Sequence, residues 1–206
     1  MKVAVLVLAA GGGSRFGRPK AEVEIRGRRL VDLAVDSCIR AGLSPVVVVL
    51  GAVWLTPLPL ADSPDTHDSP DGPDGATREI WLVDNTDWAT GMASSLRAGM
   101  AALDADPAID ALIVTMVDTP TVAETHLGRV LSALRGGATA AVATYDGRAR
   151  LPVGLVRQVW ADVADSAAGD EGARGWLSAH PQLVTEVECG DLGPWTDIDT
   201  PGDLPD

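Results

Sequence analysis

The sequence predicts a three-layer α/β domain, with helices on both faces of a mainly parallel sheet. Two observations carry that expectation. Short, nearly continuous apolar runs alternate with longer segments of helical period, and the first run leads straight into a glycine cluster. Continuous rather than alternating hydrophobicity marks strands covered on both faces. The runs are residues 3–8, VVVVL at 46–50, EIWLV at 79–83, ALIVTMV at 111–117 and ATAAVATY at 138–145. Helices are expected between them, near 29–41, 91–103, 122–135 and 170–179. Later short strands are expected near 153–156 and 183–188, one of which can run antiparallel. A chain of 206 residues suffices for one such domain with a sizeable core, so residues 1–206 are read as a single unit.

Charge and cysteine usage narrow the class. With 29 acidic against 16 basic residues the formal net charge is −13, which excludes a general phosphate-backbone binder of nucleic acid. A small anionic ligand stays compatible if a few Arg and Lys residues line its pocket. The two cysteines, Cys38 and Cys189, form no CxxC pair and have no neighbouring histidine, so neither a disulfide framework nor a zinc site is expected, and a reducing cytoplasm fits. No apolar run is long enough to cross a bilayer, and no membrane partner is expected. The start MKVAVLVLAA reads as a first strand rather than a signal peptide, given the glycine loop and basic residues after it. The stretch 56–78 breaks the α/β pattern. It is rich in Pro, Asp, Ser and Gly and too poor in apolar surface to offset its ordering entropy, so a mobile acidic insert loop is expected. His67 and its aspartates match no calcium-loop spacing.

The loop LAAGGGSRFGRPK (8–20) can be compared with three nucleotide-binding designs. The dinucleotide fingerprint GxGxxG fails because Phe16 stands where the third glycine belongs after Gly11 and Gly13, and the second strand ends in Gly51 rather than an acidic residue. The phosphate loop GxxxxGK[ST] fits from Gly12 to Gly17, then breaks at Arg18-Pro19, which removes the lysine and the hydroxyl that would hold Mg²⁺. A looser loop remains. Its Gly11, Gly12, Gly13 and Ser14 can turn their amides toward a triphosphate, while Arg15 and Lys20 offset charge on the phosphates and on a departing pyrophosphate.

That string resembles the nucleotide-binding signature of the MobA-like NTP transferases, closest to the molybdenum cofactor cytidylyltransferases. Four later segments resemble the same family. DNTDWATGMASSLRAGM (84–100) puts Gly91, Ser94 and Ser95 at a helix start suited to anions, although an ordinary cap by Thr90 or Ser94 reads equally well. IVTMVDTP (113–120) ends a strand in Asp118, and TDIDTPGDL (196–204) supplies Asp199, with Asp197 as a substitute. GDEGARGWLSAHP (169–181) offers Arg174 to an anionic substrate and Asp170 as a helix cap.

The resemblance implies a Rossmann-like fold of the nucleotide-diphospho-sugar transferase type. It implies a nucleotidyltransferase that joins a nucleotide to a phosphorylated acceptor with Mg²⁺ and releases pyrophosphate. On that reading Arg15, Lys20 and Asp118 are catalytic, and Asp118 and Asp199 hold the metal. Leu8, Ala9, Ala10, Gly11, Gly12, Gly13, Ser14, Arg15, Lys20, Gly91, Ser94 and Ser95 bind the nucleotide. Arg150, Pro152 and Arg174 lie on the acceptor side. Ala10 favours CTP over GTP within the family, and the implied acceptor is molybdopterin, with a molybdoenzyme as recipient of the product. Two departures bear on the acceptor: ARLPVGL (149–155) replaces a Gly-His-Pro step, and Thr119 stands where Met or Gln is usual. Two alternatives therefore stay open, transfer to a sugar or alcohol phosphate and a cofactor-binding module without turnover.

Overall fold

The computed structural model describes residues 1–55 and 79–205; the expected insert at 56–78 lies outside them. The chain runs β1 (Val3–Leu8), a small hairpin of β2 (Glu24–Ile25) and β3 (Arg28–Arg29), α1 (Leu30–Arg40), β4 (Val46–Leu50) and β5 (Ile80–Asp84). It continues through α2 (Met92–Asp104), β6 (Ala111–Met116), α3 (Glu124–Arg135), β7 (Ala140–Tyr145), β8 (Arg148–Val156), α4 (Trp160–Ser166), α5 (Arg174–Ala179) and β9 (Val184–Glu188). Seven strands form one sheet in the order β5-β4-β1-β6-β8-β7-β9. β8 alone runs against its neighbours, antiparallel to both β6 and β7, so the sheet is mainly parallel as expected.

The continuous hydrophobicity of the strands has the cause assigned to it. Val3, Val5 and Val7 of β1 face a core shared with α1 and α3, while Ala4, Leu6 and Leu8 face a second core shared with α2, α4 and α5. Every residue of β1 and β4 is buried, and each buried Val or Leu contributes roughly 1.5–3 kcal/mol of transfer free energy.

Two local expectations needed correction, and one helix was not expected at all. α5 begins at Arg174 and not near 170, because residues 169–173 turn toward another element. The strand expected at 153–156 starts at Arg148, where Asp146-Gly147 closes a two-residue hairpin with β7; Asp-Gly between two apolar runs was a readable signal for it. The short helix α4 has too few turns to show a period, and no sequence feature announced it.

The topology itself selects the ligand crevice. From β1 the chain moves outward to β4 and β5, then crosses back through α2 to place β6 on the other side of β1. That reversal lies between β1 and β6, paired in register from Val3↔Ala111 to Leu8↔Met116. In open α/β sheets ligands bind at the carboxyl ends of the strands at such a switch point. The glycine loop follows β1 and Asp118 follows β6, so both emerge there.

Candidate active site

The loop after β1 folds on Gly13. Its φ of +63° is left-handed, and a Cβ at this position would meet the Arg18 carbonyl oxygen at 1.8 Å, so only glycine fits. The Gly13 carbonyl accepts the amides of Phe16 and Gly17, at 2.9 and 2.7 Å. Phe16, which broke the dinucleotide pattern, is buried as an anchor under the loop. The amides of Gly11, Gly12, Gly13, Ser14 and Arg15 donate to no group among the described residues. They form an unpaired run of donors around the loop, the condition for an anion cradle.

Lys20 is the hub of the site. Its Nζ donates to Asp118 Oδ2 at 2.9 Å and to Asp199 Oδ1 at 2.7 Å, and Arg15 Nη1 bonds the other oxygen of Asp199. Burial opposes the charge on Lys20, but its hydrogen bonds and attraction to the two carboxylates outweigh that, and its pKa moves up. Burial raises Asp118 despite Lys20, whereas the Lys20 hydrogen bond holds Asp199 below the usual carboxylate range. The remaining oxygen of Asp118, Oδ1, is buried with no partner among the described residues.

A main-chain clasp brings the distant acidic turn here. The Ile198 amide donates to the Asp118 carbonyl at 2.8 Å, and Thr121 exchanges two bonds of 3.3 Å with the backbone of Thr196. Asp203 closes a capping box on Thr200 and holds the turn in shape. Asp197, the substitute for Asp199, holds neither Lys20 nor Arg15.

Two cavities meet at this cluster. Both are lined by Arg15, Lys20, Asp118 and Asp199, together with Leu8 and Asp170. The smaller, about 560 Å³, takes in the glycine loop from Leu8 through Arg15, with Gly91 and Ser95. The larger, about 840 Å³, reaches Arg150 and Arg174. Of the residues expected at the site, only Ser94 and Pro152 line neither.

Ser94 is buried in a structural role. Its Oγ donates to the carbonyls of Gly91 and Asp87 and accepts from Asn85 Nδ2, which also bonds Ser95 Oγ at 3.0 Å. The Asn…Ser-Ser spacing thus fixes the loop before α2 from inside. Pro152 lies in a bulge of β8, where Leu151 and Pro152 are extra residues between Arg150, opposite Ala143, and Val153, opposite Val142. The bulge offsets Arg150 and Leu151 from the ladder that follows.

Sequence reasoning missed the role of Asp170. It caps α2 rather than α5: Oδ1 accepts the Met92 amide at 3.2 Å, and the Gly169 carbonyl accepts the Ala93 amide at 2.8 Å. Gly91, with φ +114°, permits this contact, since a Cβ would come within 2.6 Å of the Gly169 oxygen. A contact across 78 residues leaves no local signal. Trp195 was also missed; it carries the Arg150 guanidinium 5.0 Å from its ring centre.

Residues 5–184 match the MobA-like NTP transferase domain. The chain belongs to that family. Among curated relatives, it is 34% identical over 203 residues to the nicotine blue oxidoreductase of Paenarthrobacter nicotinovorans, covering 95% of this chain and 91% of that one. Among solved structures, a Mycobacterium sp. strain JC1 homologue of Mycobacterium tuberculosis rv0371c superposes with a TM-score of 0.71 at 25% identity, over 97% of this chain and 92% of that one. A nucleotidyl transferase from Methanothermobacter thermautotroptrophicus superposes with a TM-score of 0.69 at 18% identity, over 98% and 94%. The fold is that of the Rossmann-like nucleotidyltransferases. Among the described residues no helix is long and apolar enough to cross a membrane.

Proposed function

We propose that this MobA-like protein transfers a nucleotide, CMP from CTP, to a phosphorylated small-molecule acceptor and releases pyrophosphate. One observation carries the reading: Lys20, Arg15, Asp118 and Asp199 converge where a cavity with unpaired loop amides joins a second cavity edged by two arginines. A site for binding alone has no use for two carboxylates and two cations at such a junction.

The loop amides of 11–15 receive the triphosphate, while Arg15 and Lys20 face the charge that builds on the β- and γ-phosphates. An acceptor phosphate oxygen attacks the α-phosphorus, the bond from that phosphorus to the bridging oxygen breaks, and pyrophosphate departs with the electron pair. The acceptor arrives ionised and needs no general base. Asp118 and Asp199 are the residues that would hold Mg²⁺. The orphaned Oδ1 of Asp118 beside a second carboxylate suits an ion that takes one or two protein carboxylates and completes its shell with phosphate and water oxygens. When bound, the ion neutralises charge on the phosphates. Lys20 bridges the same carboxylates, keeping the pair together and sharing their charge.

Ala10, buried at the loop with its carbonyl accepting the Ala52 amide, supports CTP over GTP through the family resemblance. Molybdopterin is the acceptor that resemblance suggests. The two cysteines, both free and buried, are compatible with a cytoplasmic setting. A second reading is an oxidoreductase activity, favoured by the identity shared with the nicotine blue oxidoreductase. Calorimetric titration with CTP, GTP and reduced nicotinamide dinucleotides, followed by assays of pyrophosphate release and of nicotinamide oxidation, separates the two. Transfer requires Mg²⁺-dependent CTP binding, and consumption of reduced nicotinamide without any pyrophosphate release would replace it.

A further inference from the structure

The larger cavity is a slot between the sheet and the helices behind it. Its floor is Val114 and Met116 of β6, Val142 of β7, and Leu151 and Val153 of β8. Leu96 of α2 and Leu177 of α5 lie across from that floor, and the ring of Trp195 lies at one side beneath Arg150. Among the described residues no Asn, Gln, Ser, Tyr or His lines it. The one neutral hydroxyl, on Thr119, donates to the Met116 carbonyl at 3.1 Å. Asp170 is engaged with α2, which leaves Glu171 and Asp197 as the carboxylates outside the Lys20 cluster.

Seven of the thirteen described arginines pair with no carboxylate, and two of these, Arg150 and Arg174, line this slot. Arg15, Arg28, Arg29, Arg40, Arg129 and Arg157 all pair with carboxylates. Arg150 and Arg174 pair with none among the described residues. Arg150 bonds only the carbonyl of its neighbour Ala149 and lies over Trp195. Two guanidinium groups without a carboxylate partner, beside an aliphatic floor and the leucines that face it, provide for an anion attached to an apolar body. Partners for a ring of hydroxyls are confined to the charged groups, Glu171 and Asp197 among them, and hydroxyls turned toward the aliphatic floor would lose theirs at a cost.

We propose that the second substrate is an anion with an apolar, ring-sized body, bound in preference to sugar phosphates and other polyol phosphates. This deepens the transfer reading and rests on it for the statement that the slot holds the acceptor. The test is calorimetric titration of the full chain with naphthyl phosphate, glucose phosphate and inorganic phosphate, with CTP and Mg²⁺ titrated in parallel. Naphthyl phosphate is expected to bind about tenfold more tightly than glucose phosphate. Leu151→Ser or Leu177→Ser, both at half-buried positions, should narrow that margin, and Arg174→Ala should weaken naphthyl and inorganic phosphate alike. Equal or tighter binding of glucose phosphate overturns the proposal. So does absence of binding at millimolar concentration, or a preference untouched by both leucine substitutions. Loss of CTP binding alongside a retained naphthyl preference would remove the transfer reading and leave the slot's selectivity standing. CTP binding with glucose phosphate preferred would remove this proposal alone.

Discussion

The smaller cavity takes much of its wall from one stretch, residues 8–20, whereas the larger is assembled from β6, β7, β8, α2, α5 and the segment around Trp195. The first presents main-chain amides, the second side chains. A main-chain cradle suits any ligand with phosphates in a row, so it needs glycines at fixed places and little else. A side-chain slot must match the body of one molecule, and its residues come from wherever the fold delivers them. A loop of the first kind can stay unchanged while a slot of the second kind is rebuilt for another ligand.

The largest effect expected on that contrast comes from the residues where the cavities meet. Lys20→Ala and Asp118→Asn should each lower pyrophosphate release by about a hundredfold or more. They should differ in stability. Burial pushes the Asp118 carboxyl up, so its ionised form is disfavoured in the fold, and Asp118→Asn should melt no lower than the parent chain. Thermal melts beside a pyrophosphate assay would check both. A Tm well below the parent's would mean that the Lys20 pair stabilises Asp118 more than burial penalises it.

Next in size is Gly13→Ala. It forces a left-handed residue against the Arg18 carbonyl and should cost about 1–3 kcal/mol. CTP affinity should fall while the larger cavity's affinity for its own probe stays unchanged. A smaller effect belongs to Asp170, which with the Gly169 carbonyl ties the acceptor-side turn to the helix of the nucleotide side. Asp170→Ala should cost about 1 kcal/mol through the lost cap. Asp170→Asn keeps the acceptor oxygen and should restore it. Because Asp170 lines both cavities, the alanine variant should weaken both ligands, and its rescue by asparagine is the readout. Smallest is Ser94→Ala. It removes bonds to Asn85 and two carbonyls, so stability should drop by about 1 kcal/mol with CTP affinity intact. A matching loss of CTP affinity would return Ser94 to the anion site.

The parts legible in the sequence are those that local chemistry dictates. The strands β1, β4 and β6 announced themselves because burial on both faces leaves Thr115 as the one polar residue in them. The loop at 8–20 was legible because glycines and Arg-x-x-x-x-Lys lie within one turn of chain. Asp118 and Asp199 were found as acidic turns, but their pairing through Lys20 and the clasp from Ile198 to Asp118 became visible only in three dimensions. Ser94 misled because a serine at a helix start binds an anion or its own loop with the same hydroxyl. Asp170 was assigned to the helix next to it, when the amides it serves belong to a helix far away in sequence. The slot was not legible beyond its two arginines, since Leu151, Leu177 and Trp195 carry no shared period or spacing.

The central claim is that Lys20 and the two carboxylates act on a nucleoside triphosphate bound by the loop after β1. Calorimetric titration of CTP with and without Mg²⁺, on the parent chain and on Asp118→Asn, tests it most directly. The account predicts CTP binding that is strengthened by Mg²⁺ in the parent and indifferent to Mg²⁺ in the variant. No CTP binding at millimolar concentration, or Mg²⁺ dependence that survives loss of the Asp118 charge, would contradict it.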